Sequence, residues 1–353
     1  MNTRPLLLLL VGLAGPTLRP MVAATPTPEY TRLKFGSISL YTENDKYFAG
    51  TDQHYTNGFK LSFLSTPIAN FTDDPVPRPV QQLARTLRRL LPDDQQYKLG
   101  LSLGQNIYTP EDTTTATPQP DDRPYAGWLY AGIAFQVYQP ARFFATGARA
   151  VSQLDVVELT VGVVGPSALG EQVQNEIHRL IDSQLARGWG NQIHDEPGLN
   201  LVYERKYRFT TARSRSGWGA DFIPHIGASL GNVFTYANVG GEVRAGFRLP
   251  TDFGTNLIRP SGDSSAVVRP RFSTFFFASA DARAVARDIT LDGNTWRDSA
   301  SIDKKHFVSD LTAGLAVGTT HWQFTYAQAV RTREFEGQKK NSVFGSVSIS
   351  YYY

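Results

Sequence analysis

Beyond residue 30 the sequence repeats one pattern about twelve times: a segment of about ten residues with alternating apolar and polar side chains, then a break rich in Gly, Pro, Asp or Asn. Strict alternation puts apolar side chains on one face of a strand and polar ones on the other. An even number of such strands is typical of a barrel whose apolar face meets lipid. We predict an all-β transmembrane barrel of about 12 antiparallel strands, at 33–41, 55–64, 98–107, 128–138, 154–164, 199–209, 222–230, 234–249, 271–284, 307–318, 321–330 and 343–353.

The last of these segments is the most specific. Two sets of four residues alternate up to the final position, Val347, Ile349, Tyr351 and Tyr353 against Ser346, Ser348, Ser350 and Tyr352. A strand that closes on an aromatic residue resembles the terminal strand by which outer-membrane proteins are recognised for insertion. We therefore expect an integral protein of a bacterial outer membrane.

Composition agrees with this fold and excludes several function classes. Hydrophobic residues make up 41% of the chain, too few for a helical membrane bundle but suitable for strands with one polar face. Zero cysteines exclude a disulfide framework, thiolate catalysis and cysteine-based metal sites. The net charge is only +3 and no Lys/Arg run is dense, so we expect no nucleic-acid partner.

The N-terminus has the features of an export signal. Arg4 precedes the apolar run 6–14, and Val22, Ala23 and Ala24 supply small residues for cleavage. A single-pass anchor would need ~20 apolar residues. We predict a signal peptide at 1–24 and the barrel over 25–353.

Strand parity assigns each connection to one end of the barrel. With both termini in the periplasm, the connections after odd-numbered strands face outward: 42–54, 108–127, 165–198, 231–233, 285–306 and 331–342. The inward connection 65–97 is long, and residues 80–91 within it have helical apolar spacing, with Arg85, Arg88 and Arg89 between the apolar positions. This spacing predicts a short periplasmic helix.

The third outward connection contains the other predicted helix, at 169–186, beginning after the Gly165-Pro166 break. Glu171, Gln174, His178 and Asp182 fall at steps of three and four and therefore share one face. Its apolar side consists of Val173, Ile177, Leu180, Ile181 and Leu185. We expect this extracellular helix to lie against the rim of the barrel.

Three segments on the outward side, 42–57, 105–127 and 165–198, carry an unusual density of polar motifs. They are Asn44-Asp45, Tyr55-Thr56-Asn57-Gly58, Gln105-Asn106-Ile107-Tyr108-Thr109-Pro110, Asp122-Arg123-Pro124-Tyr125, and the run from Gly165-Pro166 through Gln174 to His178. In combination they resemble the lipid A 3′-O-deacylase family, calcium-dependent outer-membrane enzymes of the LpxR type. The similarity runs over nearly all of the mature chain, is strongest in these segments, and is weak beyond residue 209.

The resemblance implies roles for individual residues. The family's catalytic histidine falls on His178, and the glutamine one turn earlier falls on Gln174. Its Asn-Asp pair falls on Asn44 and Asp45, and its site hydroxyl on Thr56. A site lysine of the family has no counterpart, because no Lys occurs between residues 98 and 206 and gapless counting places Thr115 there. We assign substrate binding to the nearby cation, Arg123.

The chemistry of these residue types is consistent with ester hydrolysis. A neutral imidazole titrates near pH 6.5, so a histidine can take a proton from water without a Ser or Cys nucleophile. Ca²⁺ prefers oxygen ligands and would stabilise a developing oxyanion. We expect it to be held by Asp45 with Asn44, Asp52 or Glu171. The expected substrate is lipid A, or lipopolysaccharide, of the outer leaflet, and the active side faces outward.

Other interpretations of the same residues stay open at this level. A lone helix histidine is more often a solvent-facing or capping residue, and Asn, Asp and Gly are ordinary turn residues where strands meet loops. The chain could therefore be a non-enzymatic barrel, such as a small porin or adhesin, or an esterase acting on another lipid. Because a barrel of this size holds little more than its own side chains and water, we expect any site at the rim or on the outer wall.

Overall fold

The computed structural model describes residues 33–45, 47, 54–91, 96–143, 150–210, 214, 216–255, 258 and 269–353. The predicted signal peptide at 1–24 and Asp52 lie outside these residues. Twelve strands are present: β1 (Phe35–Asn44), β2 (His54–Ser65), β3 (Gln96–Thr109), β4 (Ala126–Phe143), β5 (Ala150–Val164), β6 (Glu196–Thr210), β7 (Trp218–Gly231), β8 (Phe234–Phe247), β9 (Phe272–Asp288), β10 (Phe307–Thr319), β11 (Trp322–Arg331) and β12 (Ser342–Tyr352). Each of the twelve predicted strands is confirmed.

The strands form one closed antiparallel barrel. Each strand pairs with its sequence neighbours, and β1 pairs with β12 from Ser37↔Tyr352 to Asn44↔Gly345. Closure joins the two edge strands, so the backbone groups of every strand find partners within the sheet. Such a ladder can lie in lipid without exposing unpaired peptide groups.

The two faces of the sheet differ as the alternation predicts. On β3 to β6, one row across the outer wall consists of Leu103, Ala131, Val161 and Leu199, which pair in register. Leu103, Val161 and Leu199 are all exposed. The inward face instead carries buried charged groups that pair with one another, including Arg244–Asp221, Lys206–Glu204, Arg208–Asp221 and Arg331–Asp310. The outer wall is therefore apolar, and the lumen is lined by ion pairs.

Three helices accompany the barrel: α1 (Arg78–Thr86), α2 (Gly170–Leu180) and α3 (Ile289–Asp292). The helix predicted at 80–91 is α1 followed by a 3₁₀ turn, Arg88–Leu90. Among the described residues, no helix has the length and apolar character needed to cross a membrane.

The helix predicted at 169–186 is shorter than expected. It ends at Leu180, because Asp182 adopts a left-handed conformation with φ 53°. The backbone N–H of Ser183 then donates to the carbonyl of His178 at 2.8 Å, which closes the helix end as left-handed C-terminal motifs do. Asp182 therefore does not share a helical face with His178, and Leu185 lies in the returning loop.

Both longer helices lie on the outer wall, at opposite ends. α1 belongs to the connection between β2 and β3, at the end that carries both termini, and packs with Leu99, Phe135 and Val157. α2 belongs to the connection between β5 and β6 at the other end, and contacts β3 and β4.

Candidate active site between α2 and the barrel wall

The wall beneath α2 is a row of residues in register across four strands. Asn44 of β1 pairs with Asn57 of β2, which pairs with Ile107 of β3, which pairs with Gly127 of β4. Neighbouring strands lie ~4.8 Å apart, so Asn44 lies ~10 Å from Ile107 along this row. The motif that contains Asn44 and the motif that contains Ile107 therefore lie on the same part of the outer wall, where α2 lies.

Two glycines allow α2 to lie close to this wall. A Cβ atom on Gly127 would lie 3.0 Å from the Cβ of Ala168, and one on Gly170 would lie 2.6 Å from the indole ring of Trp189. The side-chain amide of Gln105, on the neighbouring strand, donates to the carbonyl of Ala168 at 2.6 Å. The start of α2 is therefore held against β3 and β4 with no room for larger side chains.

The face that α2 turns away from solvent is polar. Gln174 and His178 are only 2% and 3% exposed, and Gly170 is buried with them. Leu180 is 84% exposed and Ile181 is exposed as well. Of the predicted apolar side, Val173 packs against the Tyr125–Trp189 cluster, but Leu180, Ile181 and Leu185 do not face the barrel. The helix lies against the barrel as predicted, but on its polar face.

The orientation of the His178 ring is set by a backbone carbonyl. Nδ1 lies 2.5 Å from the carbonyl oxygen of Gln184, in the loop that returns from α2. A carbonyl oxygen only accepts hydrogen bonds, so Nδ1 carries the proton and donates it. In the neutral ring the lone pair therefore lies on Nε2, which is the tautomer that a general base needs.

Gln174 is oriented in a similar way by a tryptophan. The indole Nε1–H of Trp189, a side chain only 1% exposed, donates to Gln174 Oε1 at 2.8 Å. Indole is a donor only, so it excludes the flipped amide, which would place N–H against N–H. The amide nitrogen of Gln174 is buried and has no hydrogen-bond partner among the described residues. It is thus presented as a donor, one helical turn from His178.

Two of the loops at the α2 end, 108–127 and 165–198, hold this arrangement together. The backbone N–H of Arg187 donates to the carbonyl of Thr113 at 2.8 Å, and that of Ile193 donates to the carbonyl of Tyr125 at 3.0 Å. The hydroxyl of Ser167 donates to Asp195 at 2.8 Å. Ser167 therefore closes a loop and is not presented as a nucleophile.

The structure places the predicted metal ligands in different surroundings. Asp45 is buried at the end of β1, whereas Glu171 is exposed on the first turn of α2. The side chain of Thr56 and the whole of Asp52 lie outside what the structure describes. Within the described residues, no group of three or more His, Asp or Glu side chains could hold a metal ion. Asn44 pairs with Asn57 across β1 and β2, and Asp45 follows Asn44 in the chain.

Arg123 is not brought together with the other predicted residues. Its guanidinium is fully buried inside the barrel, over the ring of Tyr108, and donates to Glu334 at 3.3 Å and to Thr290 at 3.0 Å. Burial alone would raise the pKa of Glu334, but Arg331 and Arg123 hold that pKa below its usual range. The observed contacts join three loops across the mouth of the barrel, and a substrate contact for Arg123 stays a prediction.

A barrel with a polar helix face against its outer wall can be compared with known proteins. A sequence model of the family described as outer membrane protein LpxR matches residues 6–353. The chain belongs to the LpxR family. The match extends well beyond residue 209, where the motifs had given only weak similarity.

One solved structure shows the same fold. LpxR from Salmonella typhimurium is 20% identical, with a TM-score of 0.67, and the match covers 90% of this chain and 100% of that one. The β domain of the Bordetella autotransporter BrkA is 7% identical, with a TM-score of 0.43, over 91% of this chain and 100% of that one. A search of curated protein sequences found no match.

Two groups in the site of this LpxR-family barrel were not found from the sequence. The carbonyl of Gln184 could not be, because any residue supplies a carbonyl and only the fold brings it to His178. Trp189 stood next to Gly188 in a polar loop, which was the one available indication of a special role. Its bond to Gln174 spans fifteen residues and depends on how the loop returns.

Proposed function

We propose that this LpxR-family barrel hydrolyses the 3′-O-acyl ester of lipid A, with His178 as the base that activates water. The observation that carries the proposal is the buried Gln174–His178 pair between α2 and the outer wall, in which Nδ1 of His178 faces the Gln184 carbonyl. Burial of two polar side chains costs free energy unless they have partners or a function. Both side chains here are oriented, one as a base and the other as a donor.

The reaction follows from these orientations. Nε2 of His178 takes a proton from water while the water oxygen attacks the carbonyl carbon of the ester. The carbonyl oxygen becomes an oxyanion, to which the Gln174 amide can donate a hydrogen bond. When the tetrahedral intermediate collapses, the bond from carbon to the sugar 3′-oxygen breaks, and the imidazolium returns its proton to that oxygen. The products are a fatty acid and a free 3′-hydroxyl group.

Calcium belongs to the proposal through the chemistry of the donors on the wall. Carboxylate and amide oxygens are the ligands that Ca²⁺ takes, and Asp45 and Asn44 supply both kinds, with Asn57 across the strand pair. We infer that Asp45 and Asn44 hold the ion, with Asp52 or Glu171 as further ligands. When bound, it would supply a Lewis acid for the oxyanion.

The position of the site suits a membrane lipid. It lies on the outer wall at one edge of the apolar band, four residues along β3 from Leu103, so an acyl chain can reach it sideways without entering the lumen. The lumen is lined by ion pairs such as Arg331–Asp310 and encloses a cavity of only about 140 Å³, which is a poor fit to a porin. The proposed substrate is accordingly lipid A in the leaflet at the α2 end, the outer leaflet.

Mass spectrometry of purified lipid A, incubated with the purified protein, tests the reaction. We expect loss of one 3′-acyl chain as free fatty acid, abolished by chelation and restored by Ca²⁺ better than by Mg²⁺, which demands a tighter octahedron. Full activity in excess chelator would remove calcium from the mechanism. No product under any condition would overturn the proposed function.

Surface labelling tests the outward orientation separately. Tags inserted near Asp112 or Gly337, at the α2 end, should be accessible on intact cells, and a tag near Asp73, at the α1 end, should not. Labelling at Asp73 alone would reverse the orientation and place the site in the periplasmic leaflet.

A further inference from the structure

The other outer-wall helix, α1, forms a cationic surface that the proposed reaction does not use. Four arginines on α1 and the following turn are exposed: Arg78, Arg85, Arg88 and Arg89. Arg85 donates only to neutral acceptors, the carbonyl of Thr72 at 3.4 Å and Gln81 Oε1 at 3.3 Å. None of the four arginines forms an ion pair within the part of the chain that the structure describes. The surface therefore presents four guanidinium groups that have no ion-pair partner among the described residues.

The height of α1 on the barrel places this charge at a membrane surface. α1 packs with the outward-facing row Leu99, Phe135, Val157 and Tyr203, which pair in register. Four residues further along β3, Leu103 belongs to the exposed apolar row. At the α1 level the wall becomes polar, because the Tyr203 hydroxyl donates to Asp155 at 2.6 Å and Arg205 bonds the same carboxylate at 2.7 Å. This is the level at which lipid headgroups meet a barrel.

A groove between α1 and the wall combines the positive charge of the arginines with an apolar surface. Its lining combines Arg85 and Arg88 with the apolar side chains of Phe71, Leu91 and Tyr97. Phe71 packs edge-on against Tyr97 and Phe135, with ring centroids 5.0 and 5.1 Å apart, so the apolar side is rigid. Guanidinium groups beside an apolar floor match a phosphate that is attached to acyl chains.

We propose that this groove binds the headgroup phosphate of an anionic glycerophospholipid, such as phosphatidylglycerol, in the leaflet at the end of the barrel that carries both termini. Arg85 and Arg88 hold the phosphate, and the half-buried side chains of Leu91 and Tyr97 contact the upper part of the acyl chains. Arg78 and Arg89 add attraction to the anionic surface. The helix then fixes the depth of the barrel in that leaflet.

Native mass spectrometry of the whole protein in neutral detergent tests this. Phosphatidylglycerol and phosphatidylcholine with identical acyl chains are titrated against each other, and we expect a preference of about tenfold for the anionic lipid, since two cations at a membrane surface support that much. The variant R85Q/R88Q should reduce the preference to below about twofold. R85K/R88K, which keeps both charges, should retain most of it.

A matched control removes two charges at the opposite end. R297Q/R333Q loses the same net charge from exposed loop positions and should keep the parental preference. Equal binding of the two lipids by the parent protein would overturn the proposal. So would a preference that survives in R85Q/R88Q but falls in R297Q/R333Q, which would place the anionic lipid at the α2 end.

Discussion

The two outer-wall helices lie over the same strands, at opposite ends of the barrel, and turn different kinds of side chain toward the wall. α1 and α2 both lie over β3 and β4, and the wall rows beneath them, at Leu99 and Ile107, are eight residues apart on β3. That separation is ~27 Å along the strand, or ~20 Å along the membrane normal for a typical tilt. The helices therefore lie at the two ends of the apolar band. α1 buries aliphatic and aromatic contacts and exposes arginines, whereas α2 buries Gln174 and His178 and exposes Leu180.

The difference separates a structural helix from a functional one. Apolar packing of Leu83, Ala84 and Leu87 on the wall stabilises α1, and its one buried polar side chain, Gln81, donates to the nearby carbonyl of Val76 at 2.8 Å. The polar face of α2 needs Trp189 and the Gln184 carbonyl to satisfy its side chains, an arrangement that packing alone would not select. Departure from the usual pattern of burial is expected where function requires it. We therefore expect substitutions beneath α2 to reduce the rate of deacylation. Substitutions beneath α1 should reduce only the local order of that helix.

Removal of the base should have the largest effect. His178→Ala should lower the rate of lipid A deacylation by on the order of 10²–10⁴, the usual contribution of a positioned general base. Strand pairing, assayed by heat-modifiable mobility, should be unchanged, because it does not involve α2. His306→Ala is the control, since its Nδ1 also lies near a carbonyl, that of Val285 at 3.0 Å, but its ring is exposed. Equal deacylation rates for His178→Ala and His306→Ala would contradict the assignment of His178 as the general base.

Displacement of α2 should have the next largest effect. In Gly170→Ala the new Cβ would lie 2.6 Å from the Trp189 ring, so the helix or the indole must shift. Misplacement of catalytic groups by about 1 Å can cost on the order of 10² in rate. Gly190→Ala is the matched control, because its Cβ would meet nothing within 4 Å. Comparable initial rates for both alanine variants would show that close approach of α2 is unnecessary.

Loss of a single orienting bond should have a smaller effect. Trp189→Phe keeps the aromatic contact with Tyr125 but removes the donor to Gln174 Oε1. A neutral hydrogen bond contributes about 1 kcal/mol, so we expect kcat to fall about fivefold and KM to change little. The effect should disappear in a Gln174→Ala background, where no amide remains to orient. Additive losses in the double variant would assign Trp189 to packing alone.

The smallest effect on catalysis should come from the α1 end. Leu83→Ala removes part of the contact between α1 and the wall, and hydrogen exchange over 78–86 should become faster as the helix opens locally. The deacylation rate should stay within about twofold, because distant sites act independently. Gln82→Ala, an exposed neighbour, should alter neither quantity. A large loss of activity in Leu83→Ala would show that the two ends are coupled.

The comparison also shows where sequence reasoning was reliable. All twelve strands were predicted, most within two or three residues of their bounds, because the alternation of period two is a local property of each segment. The row that joins Asn44 to Gly127 depends instead on register across four strands, which no single segment reveals. The motifs indicated which residues to consider, and pairing decided which of them meet.

For α1 and α2, the sequence determined that each would form and only the tertiary structure decided how it lies; the short helix α3 was not predicted. Apolar residues on a helix normally mark its packed face, a rule that holds where the outside is water. The outside of this barrel is apolar, so Leu180 and Ile181 are exposed while Gln174 and His178 are enclosed. Arg123 shows the same limit: its charge was evident from the sequence, but the closed sheet placed it in the lumen beside Glu334. Residue type and spacing are properties of the chain, whereas inside and outside exist only once the barrel has closed.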